Sequence, residues 1–331
     1  MNREYTKGKT KEQIIGHIGF EGKANINKFR TRKVLITGAG SYIGESFKNY
    51  ASREYPDNFT IDTLDMLSAD WRDKSFAGYD LVFHVAGLAH SYVGTVSDEV
   101  KEKYYSVNTD LALETCKKAR DDGAGAFVFM SSMIIYGASA PYGKKLVIDA
   151  DTMPNPENYY GDSKLQADVA LRELGTDDFG VIVLRPPMIY GKGCKGNFVT
   201  LSKFATKLKL FPKVNNERSM LYIGNLCEFL CQLFLCDNRQ PQTVFYPQNP
   251  EWTCTSHMVG EIAKCCKNRI LITRLGAPAI WLCSKVPGKI GQLCNKAFGN
   301  SCYAHELSKY EGMDYQKYNL DESVEMAVSE Q

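Results

Sequence analysis

The feature that most constrains the fold is a regular alternation of short apolar runs with helical stretches, which begins at Lys33. The runs are apolar on consecutive positions, as expected for strands covered on both faces; they read KVLITG, FTIDTL, DLVFHVAG, AFVFMSS and VIVLRP. Such strands alternating with helices predict an α/β fold with a doubly wound parallel sheet. After Arg185 the rhythm loosens, which indicates a smaller C-terminal lobe built from discontinuous pieces.

The alternation divides the chain into three parts. Residues 1–32 form a basic extension, residues 33–184 form the sheet domain, and residues 185–331 form mainly a substrate-binding lobe, with some segments returning to the sheet domain. The extension is expected to pack on the sheet domain or trail from it. An arm that recruits RNA or a membrane-bound assembly is the alternative.

Composition argues against several classes of protein. The 40 basic and 38 acidic residues give a net charge of +2, so no global field points toward nucleic acid or an anionic membrane. No apolar stretch reaches the length of a membrane span, and the N-terminus lacks the apolar core of a signal peptide. The eleven cysteines show no CxxC pair and no zinc-site spacing. We expect a cytoplasmic chain with reduced thiols, no metal, no nucleic-acid partner and no stable membrane insertion.

A glycine-rich turn follows the first predicted strand. In KVLITGAGSYIG, glycines stand at Gly38, Gly40 and Gly44, between a strand and a helix start. Glycines allow a tight turn and close approach of a pyrophosphate, and the helix N-terminus offers free N–H groups to the anion. The turn therefore predicts a dinucleotide site.

An acid about 20 residues past such a turn would accept hydrogen bonds from the adenosine ribose and repel a 2′-phosphate. FTIDTLDML offers Asp62 and Asp65, and Asp65 is preferred because it lies nearer the predicted strand end. Either acid favours NAD over NADP.

A tyrosine and a lysine lie four residues apart in YYGDSKLQAD. Tyr160 and Lys164 therefore share one face of a helix. A phenol with a pKa near 10 is a poor base at neutral pH, and a nearby ammonium together with a positive nicotinamide ring would lower that pKa. A serine on a neighbouring strand end would hydrogen-bond the same substrate oxygen. Upstream, MSSMIIYG supplies such a serine.

Taken together, these segments resemble the extended short-chain dehydrogenase/reductases, and among them the NAD-dependent nucleotide-sugar epimerase/dehydratase family, with a likeness to UDP-glucose 4-epimerase. Thr37–Gly44 resembles the family's TGxxGxxG, and the likeness continues to the C-terminus through HVAGLAH, VNTDLALETCKKA, LRPPMIYG, ERSMLYIGNL and NLDESVEMAV. Ser41 stands where the family has its middle glycine, so a slight rearrangement of the turn is expected. The resemblance implies a Rossmann fold and an NAD cofactor.

The resemblance also implies which residues contact the cofactor. They come from the glycine turn, the adenine-contacting segment ADWRD, the strand end HVAGLAH and the active-site helices: Gly38, Gly40, Ser41, Tyr42, Ile43, Gly44, Asp65, Asp70, Trp71, Ala86, Gly87, Ala89, Asn108, Tyr160, Lys164 and Pro187. Trp71 would stack on the adenine or, alternatively, pack in the core.

Within MSSMIIYG, the resemblance places the catalytic hydroxyl on Ser132, four residues before Tyr136. In related 4,6-dehydratases an Asp and a Glu follow that hydroxyl, whereas Met133 and Ile134 stand here. Neither side chain carries a proton, so elimination has no evident acid or base. The same gap argues against the related sugar-acid decarboxylases.

The remaining chemistry is hydride transfer at a sugar carbon, with Ser132, Tyr160 and Lys164 as the catalytic set. The chain is expected to be a nucleotide-sugar 4-epimerase or a ketoreductase, and the sequence leaves these two open. A non-catalytic NAD-binding regulatory protein on the same fold is the alternative. Retention of all three catalytic residues speaks against it.

For the substrate, the resemblance points to Arg218 and Asn197, with Arg218 favoured for the diphosphate because a guanidinium matches phosphate oxygens in a fork. Asn197 could instead cap the following helix. His90 lies where the substrate pocket should begin, and His84 is expected to be a core histidine. The resemblance further implies a homodimer formed through the helices TDLALETCKKA and SKLQADVALREL.

Overall fold

The computed structural model describes residues 4–88, 97–137, 139–238 and 240–328. Within these ranges the strands are β1 Arg32–Thr37, β2 Phe59–Leu64, β3 Leu81–His84, β4 Ala126–Met130, β5 Val147–Ile148, β6 Gly180–Leu184, β7 Met188–Tyr190, β8 Leu210–Pro212, β9 Met220–Tyr222, β10 Gln242–Phe245, β11 Leu271–Thr273 and β12 Cys302–Tyr303. The helices are α1 Lys11–Ile15, α2 Tyr42–Glu54, α3 Asp98–Tyr105, α4 Leu111–Asp121, α5 Tyr159–Arg172, α6 Asn197–Lys207, α7 Ile223–Leu235, α8 Thr255–Cys265, α9 Ala277–Ser284, α10 Lys289–Phe298 and α11 Leu320–Val328.

The central sheet has six strands in the order β10-β6-β4-β3-β1-β2, and every neighbouring pair is parallel. The chain moves outward from β1 to β2 and then returns to the other side of β1 with β3. This reversal between β1 and β3 is the place where doubly wound sheets bind ligands. The predicted doubly wound parallel fold is confirmed.

Helices cover both faces of the sheet, because alternate residues of each strand point to opposite sides. On β1, Val34 and Ile36 pack with α2 and α7 in one apolar cluster, whereas Leu35 packs with α4 and α5 in the other. The cysteines Cys227 and Cys231 of α7 are buried in the first cluster as free thiols, as predicted. Strand β10 and α7 are late segments of the chain that return to this domain.

The smaller lobe has its own apolar core, formed chiefly by α6, α8, α11 and the strands β7 and β9. Two short parallel pairs, β8 with β11 and β5 with β12, complete it. Helices α9 and α10 pack against each other and follow β11 along the chain. The lobe stands beyond the carboxyl ends of β4 and β6, since β5, α6 and β7 follow those strands.

The N-terminal segment, residues 4–31, is fixed to the sheet domain by its backbone. Ile18 forms a parallel bridge with Val244 of the edge strand β10, and the N–H of Val244 donates to the carbonyl of His17 at 2.7 Å. The carbonyl of Ile14 accepts hydrogen bonds from two buried arginines, Arg172 at 2.8 Å and Arg185 at 3.2 Å. The segment therefore packs on the domain, which is the first of its two predicted behaviours.

This segment also covers the outer side of α5, one of the two helices for which a dimer interface is predicted. The side chain of Gln166 accepts the N–H of Tyr5 at 2.7 Å and donates to the hydroxyl of Thr6. Along α5, Gly161 and residues 163–172 are buried within the single chain. Pairing of α5 with a second subunit would require the N-terminal segment to move away.

No helix in the described part of the chain is long and apolar enough to cross a membrane.

Candidate functional site

The carboxyl ends of β1 and β3 meet at Gly38, directly after β1. Gly38 has φ +115°, and a Cβ there would lie 2.7 Å from the backbone nitrogen of Ala86. Only glycine fits this approach. The N–H of Gly38 is bonded to the carbonyl of Leu64 at the end of β2, so the turn is anchored to both neighbouring strands.

The turn leads into α2 through Ser41, the residue that departs from the family pattern. Ser41 is the N-cap of α2, and its hydroxyl accepts the N–H of Gly44 at 3.3 Å. A Cβ on Gly44 would lie 2.9 Å from Cγ2 of Ile36, so glycine is needed for the helix to pack on β1. The serine thus replaces the middle glycine by capping the helix whose first turn faces the predicted pyrophosphate.

The two candidate ribose acids occupy different places. Asp65 directly follows β2 beside the turn, is exposed, and accepts the N–H of Leu67 at 2.9 Å. Asp62 lies within β2 and accepts a hydrogen bond from the hydroxyl of Tyr79 at 2.7 Å. The position of Asp65 agrees with the preference for it, and its ribose contact stays a prediction.

The segment ADWRD, which is predicted to contact adenine, exposes Asp70 but buries Trp71. Asp70 is exposed and pairs with Lys74 at 3.1 Å. The indole of Trp71 is 2% exposed and belongs to the apolar cluster beneath α4, with the guanidinium of Arg72 4.6 Å from its ring centre. The structure therefore favours core packing for Trp71 over stacking on adenine, so any contact with the cofactor would come from its backbone.

Ser132 and Tyr160 are brought together at the carboxyl end of β4. Ser132 follows the strand and lies close enough to Tyr160 to lower the pKa of its phenol. Helix α5 can approach because Gly161 has no side chain: a Cβ there would lie 2.9 Å from the carbonyl oxygen of Ile134. Asn158 caps α5 by accepting the N–H of Gly161 at 2.8 Å.

The phenol does not have the depressed pKa that was expected from Lys164. Burial raises the pKa of Tyr160 to about 12, the hydrogen bond from Ser132 lowers it in part, and Tyr104, whose ring centre lies 6.1 Å away, raises it. Lys164 is not among the groups that shift this pKa. In the chain alone Tyr160 is therefore a protonated phenol at neutral pH.

Lys164 lies one turn further along α5 and is buried. Its Nζ donates to the carbonyl of Met130 at 2.8 Å and lies 4.6 Å from the ring centre of Phe129. Burial lowers the pKa of Lys164 to about 7, and the carboxylate of Asp168 opposes that shift. The ammonium is thus tied to the end of β4 rather than to the phenol.

Asn108 joins the end of β3 to α5. It is buried in a π-helical stretch, Ser106–Asp110, and such stretches often mark functional sites. Its side chain accepts the N–H of Leu88 at 2.8 Å and donates to the hydroxyl of Ser163 at 3.1 Å. A Cβ on Gly87 would lie 3.0 Å from Oδ1 of Asn108 and 3.2 Å from Nζ of Lys164.

The residues therefore fit a dinucleotide. The glycine at Gly38 lets the end of β1 approach Ala86 after β3, the capped N-terminus of α2 follows the same turn, and Nζ of Lys164 lies beside Gly87. An added methyl group at Gly38 or Gly87 would crowd this surface. These features are what a pyrophosphate and a ribose require.

Met133 and Ile134 lie in a 3₁₀ turn, Met133–Tyr136, directly after Ser132. The sulfur of Met133 accepts a hydrogen bond from the hydroxyl of Ser301 at 3.3 Å, which links the turn to the lobe. No carboxylate or imidazole takes the place of an eliminating acid at these two positions.

The predicted substrate residues have other partners. The guanidinium of Arg218 donates to the carbonyls of Lys296 at 2.7 Å and Ala297 at 3.3 Å, so it caps the C-terminal turn of α10. Burial lowers the pKa of Arg218. Asn197 is exposed as the first residue of α6, and the N-cap is Gly196, so the predicted capping role of Asn197 is wrong. Phosphate contacts by Arg218 and Asn197 stay predictions.

The remaining predicted residues fall around this edge or outside the described ranges. Pro187 is buried just after β6, and Ile43 is partly buried against β1. The ring of Tyr42 packs against the apolar core of the lobe, with its hydroxyl near Gly191. Ala89 and His90 lie outside the described residues. His84 is 1% exposed and pairs with the hydroxyl of Thr37 at 2.8 Å, which confirms it as a core histidine.

Sequence reasoning missed two groups that support the site. Asn158 caps α5, and an asparagine three residues before Gly161 is an N-cap signal that the sequence contains. The second group is the buried pair of Asp168 and Arg185, joined by two hydrogen bonds of 2.8 Å, with Arg172 3.2 Å from the same carboxylate. No spacing pattern in the sequence predicts the pairing of Asp168 with Arg185.

One exposed cluster in the lobe could bind a metal by geometry alone. His257, Glu261 and Asp321 each place one potential ligand atom within 4.8 Å of the others. His257 lies 3.8 Å from Glu261 and 3.6 Å from Asp321, and Glu261 also pairs with Lys264. These contacts between oppositely charged or polar surface groups account for the closeness of the three side chains without a metal ion.

Comparison with known proteins agrees with this geometry. A protein of Vibrio cholerae named UDP-glucose 4-epimerase is 27% identical over 257 residues, 76% of this chain and 74% of that protein. The N-acetyl-alpha-D-glucosaminyl-diphospho-ditrans,octacis-undecaprenol 4-epimerase of Escherichia coli O157:H7 is 27% identical over 222 residues, 66% of this chain and 61% of that protein.

A similar fold occurs in the solved structure of RMD from Pseudomonas aeruginosa complexed with NADPH, with a TM-score of 0.68 and 18% identity over 90% of this chain and 98% of that one. The sequence model of the NAD dependent epimerase/dehydratase family matches residues 13–244. The match spans the glycine turn, Ser132, Tyr160 and Lys164, and it confirms the resemblance seen in the sequence. The chain is an enzyme of the NAD dependent epimerase/dehydratase family.

Proposed function

We propose that the chain is a 4-epimerase or 4-ketoreductase of diphosphate-linked sugars, with Tyr160 as its acid and base. The observation that carries this proposal is that the close approach of α5 at Gly161 brings Tyr160 next to Ser132 at the end of β4, beside a surface that fits a dinucleotide. NAD is the expected cofactor, because an acid follows β2 at Asp65; when bound, it accepts a hydride from the sugar carbon and returns it.

The chain's own residues handle the proton. In reduction, the phenol of Tyr160 donates its proton to the keto oxygen of the sugar, and the protonated state follows from a pKa of about 12. In oxidation, Tyr160 takes the proton of the sugar hydroxyl, so the phenol must first be deprotonated. Ser132 lowers the pKa of the phenol, and we expect it also to orient the substrate oxygen.

The side chains near Ser132 and Tyr160 favour hydride transfer over elimination. Met133 and Ile134 stand beside the hydroxyl and carry no titratable proton, which supports transfer without elimination. Lys164 is positioned beside Gly87, where the nicotinamide ribose is expected. The presence of all three catalytic residues supports an enzyme over a regulatory NAD-binding protein.

The substrate class follows from what two relatives have in common. The V. cholerae relative is named for a UDP-linked sugar and the E. coli relative for a sugar on a polyprenyl diphosphate. Both sugars carry a diphosphate. We expect the same class here, with nucleotide sugars as the first choice, handled by a cytoplasmic enzyme.

The test combines cofactor analysis with a substrate panel. Bound dinucleotide is released from the purified chain and identified, and the chain is then incubated with UDP-, dTDP- and GDP-sugars and with a polyprenyl diphosphate sugar. Conversion without added cofactor indicates an epimerase, whereas consumption of NADH with a 4-keto sugar indicates a reductase. The products are identified by NMR.

Two tyrosine variants provide the control. Tyr160→Phe should lower turnover by roughly 10²–10⁴-fold, as for loss of a general acid or base. Tyr159→Phe alters an adjacent tyrosine that is 40% exposed, and turnover should be unchanged. Full activity of Tyr160→Phe would remove the phenol from the mechanism.

A further inference from the structure

The strongest unexplained feature is an apolar surface in the lobe, around the α9–α10 hairpin (residues 277–298). Large apolar side chains follow one another along the chain from β11 through the 274–276 turn into both helices. The turn contacts α9, and α9 contacts α10. Each side chain is more than half exposed, from 51% for Trp281 to 85% for Leu275; they are Leu271, Leu275, Trp281, Leu282, Ile290 and Leu293.

Helix α9 is unusual for a surface helix. Its sequence, APAIWLCS, contains no charged residue, and only Ile280 and Ser284 are buried. A helix that is apolar on all sides normally lies in a protein core or in a membrane. A contiguous exposed apolar patch marks a site of interaction. The hairpin therefore needs an apolar environment that the described residues of the chain do not supply.

Charge around the hairpin indicates what that environment is. We define the basic lobe as residues 192–216 and 252–300, which contain 13 Lys or Arg residues and a single acidic residue, Glu261. Helix α11, which packs on α8 in the same lobe, adds three acidic residues and so offsets only part of this charge. The rest of the chain has 27 basic and 37 acidic residues, so its charge has the opposite sign. The near-zero net charge of the whole chain hides this separation. Lys285 lies next to the apolar surface, with its Nζ 4.8 Å from the ring centre of Trp281.

We propose that the basic lobe docks on an anionic membrane surface, with the α9–α10 hairpin inserted among the lipid headgroups. Apolar side chains with Trp beside lysines and arginines are the composition of a helix that lies in the membrane interface without spanning it. Basic residues near the surface of a leaflet are attracted by anionic lipids. A second copy of the chain fits less well, because two basic lobes would repel each other.

Docking in this manner would bring the active site close to the membrane. The carbonyls at the end of α10 accept hydrogen bonds from Arg218, and Asn300, just beyond α10, forms a bridge with Ala140. Ser301 then contacts Met133, the residue after the catalytic Ser132. Helix α10 spans about 15 Å, so the apolar surface lies within roughly that distance of the substrate side.

The test is sedimentation of the full chain with vesicles, at about 0.1 M and about 0.5 M salt. Vesicles of phosphatidylglycerol mixed with phosphatidylcholine are compared with vesicles of phosphatidylcholine alone. We expect binding to the anionic vesicles that falls at the higher salt. Leu282→Glu should weaken this binding by about tenfold or more, since the leucine side chain would no longer enter the apolar part of the membrane interface. Arg274→Gln with Lys285→Gln should weaken it by about fivefold for each charge removed.

The matched control is Phe29→Glu, which adds the same charge at a fully exposed apolar side chain in the N-terminal segment. It should bind vesicles like the unaltered chain. Absence of binding, equal binding to both compositions, or equal binding by Leu282→Glu would overturn the proposal. Two further outcomes would overturn it: a chain that binds no vesicles but forms a dimer, and a chain that binds no vesicles but binds a homopolymeric RNA. None of these readouts depends on the sugar chemistry.

Discussion

The N-terminal segment and the α9–α10 hairpin both lie outside the central sheet, and they show opposite relations between composition and burial. The N-terminal segment is polar and basic, yet its backbone is bonded to β10 and to buried arginines. The hairpin is apolar, yet most of its large side chains are exposed. Composition alone would have assigned the segment to solvent and the hairpin to a core.

The difference arises from which groups make the contacts. In the N-terminal segment, backbone carbonyls and N–H groups form hydrogen bonds with the edge strand β10 and with two arginines, Arg172 and Arg185. Such backbone groups are present in any sequence. In the hairpin, the side chains form the exposed surface, and none of the residues in the described ranges covers it. The first region is therefore part of the folded domain, and the second is available to a partner. Four predictions test this contrast.

The largest effect is expected beneath the N-terminal segment, at Asp168. Burial alone would raise the pKa of this carboxyl, but Arg185 and Arg172 outweigh burial and hold the pKa below its usual value. Asp168→Ala would leave two buried guanidinium groups without their carboxylate. We expect the free energy of unfolding to fall by about 3–5 kcal/mol, measured by urea denaturation.

Asp168→Asn serves as the control, because it keeps the shape and part of the hydrogen bonding but removes the charge. Its loss of stability should lie between those of the unaltered chain and Asp168→Ala. If Asp168→Ala unfolded at the same urea concentration as the unaltered chain, the buried network would not hold the segment and the contrast would be broken.

A second prediction compares two glycines of the N-terminal segment. Gly16 and Gly8 both have positive φ, +83° and +75°, so alanine strains the backbone at each. A Cβ at Gly16 would lie 2.7 Å from Nη1 of Arg172, whereas a Cβ at Gly8 meets nothing within 4 Å. Gly16→Ala should therefore lose about 1–3 kcal/mol more than Gly8→Ala. Equal losses in thermal unfolding would show that the segment is not packed closely at Gly16.

Much of the fold could be predicted because its strands carry a side-chain pattern. The first run corresponds to β1, and consecutive apolar residues such as Val34, Leu35 and Ile36 are needed to face two helical layers. The attachment of the N-terminal segment could not be predicted, since the contacts at His17 and Val244 use backbone atoms. The exposure of the hairpin could not be predicted either, because a short apolar run such as APAIWLC is equally compatible with a buried helix.

The candidate site was predictable in position but not in electrostatics. Ser132, Tyr160 and Lys164 could be located by spacing and resemblance. The expected lowering of the phenol pKa by Lys164 together with the nicotinamide ring stays a prediction. In the chain alone the phenol pKa is raised, because Lys164 donates to the carbonyl of Met130 and burial dominates at Tyr160. Such a preference between two nearby partners depends on distances that the sequence does not contain.

The third prediction concerns the buried side of α5, where Lys164 has a pKa of about 7 in place of 10.5. Between pH 7 and 10.5 the unfolded chain holds this proton and the folded chain has lost it, so stability rises with pH. Below pH 7 both states are protonated, and the cost of burying the ammonium is fully present. The slope from this group is at most about 1.4 kcal/mol per pH unit.

Lys164→Met removes this group. The free energy of unfolding of the unaltered chain, taken relative to that of the variant, should therefore increase as pH rises through that window. Urea denaturation at several pH values measures both chains, and other titrating groups cancel in the difference. Parallel curves would mean that Lys164 is more hydrated than its burial indicates.

The smallest effect is expected in the hairpin, where two aliphatic residues of α9 are compared. Leu282 is 63% exposed and Ile280 is 8% exposed. Leu282→Ala should change the free energy of unfolding by less than about 0.5 kcal/mol, because it removes no buried contact. Ile280→Ala should cost about 2 kcal/mol or more, as for other buried aliphatic residues. If Leu282→Ala were as costly as Ile280→Ala, the hairpin would already be covered in solution. The apolar side chains would then serve stability rather than docking, and the contrast with the N-terminal segment would disappear.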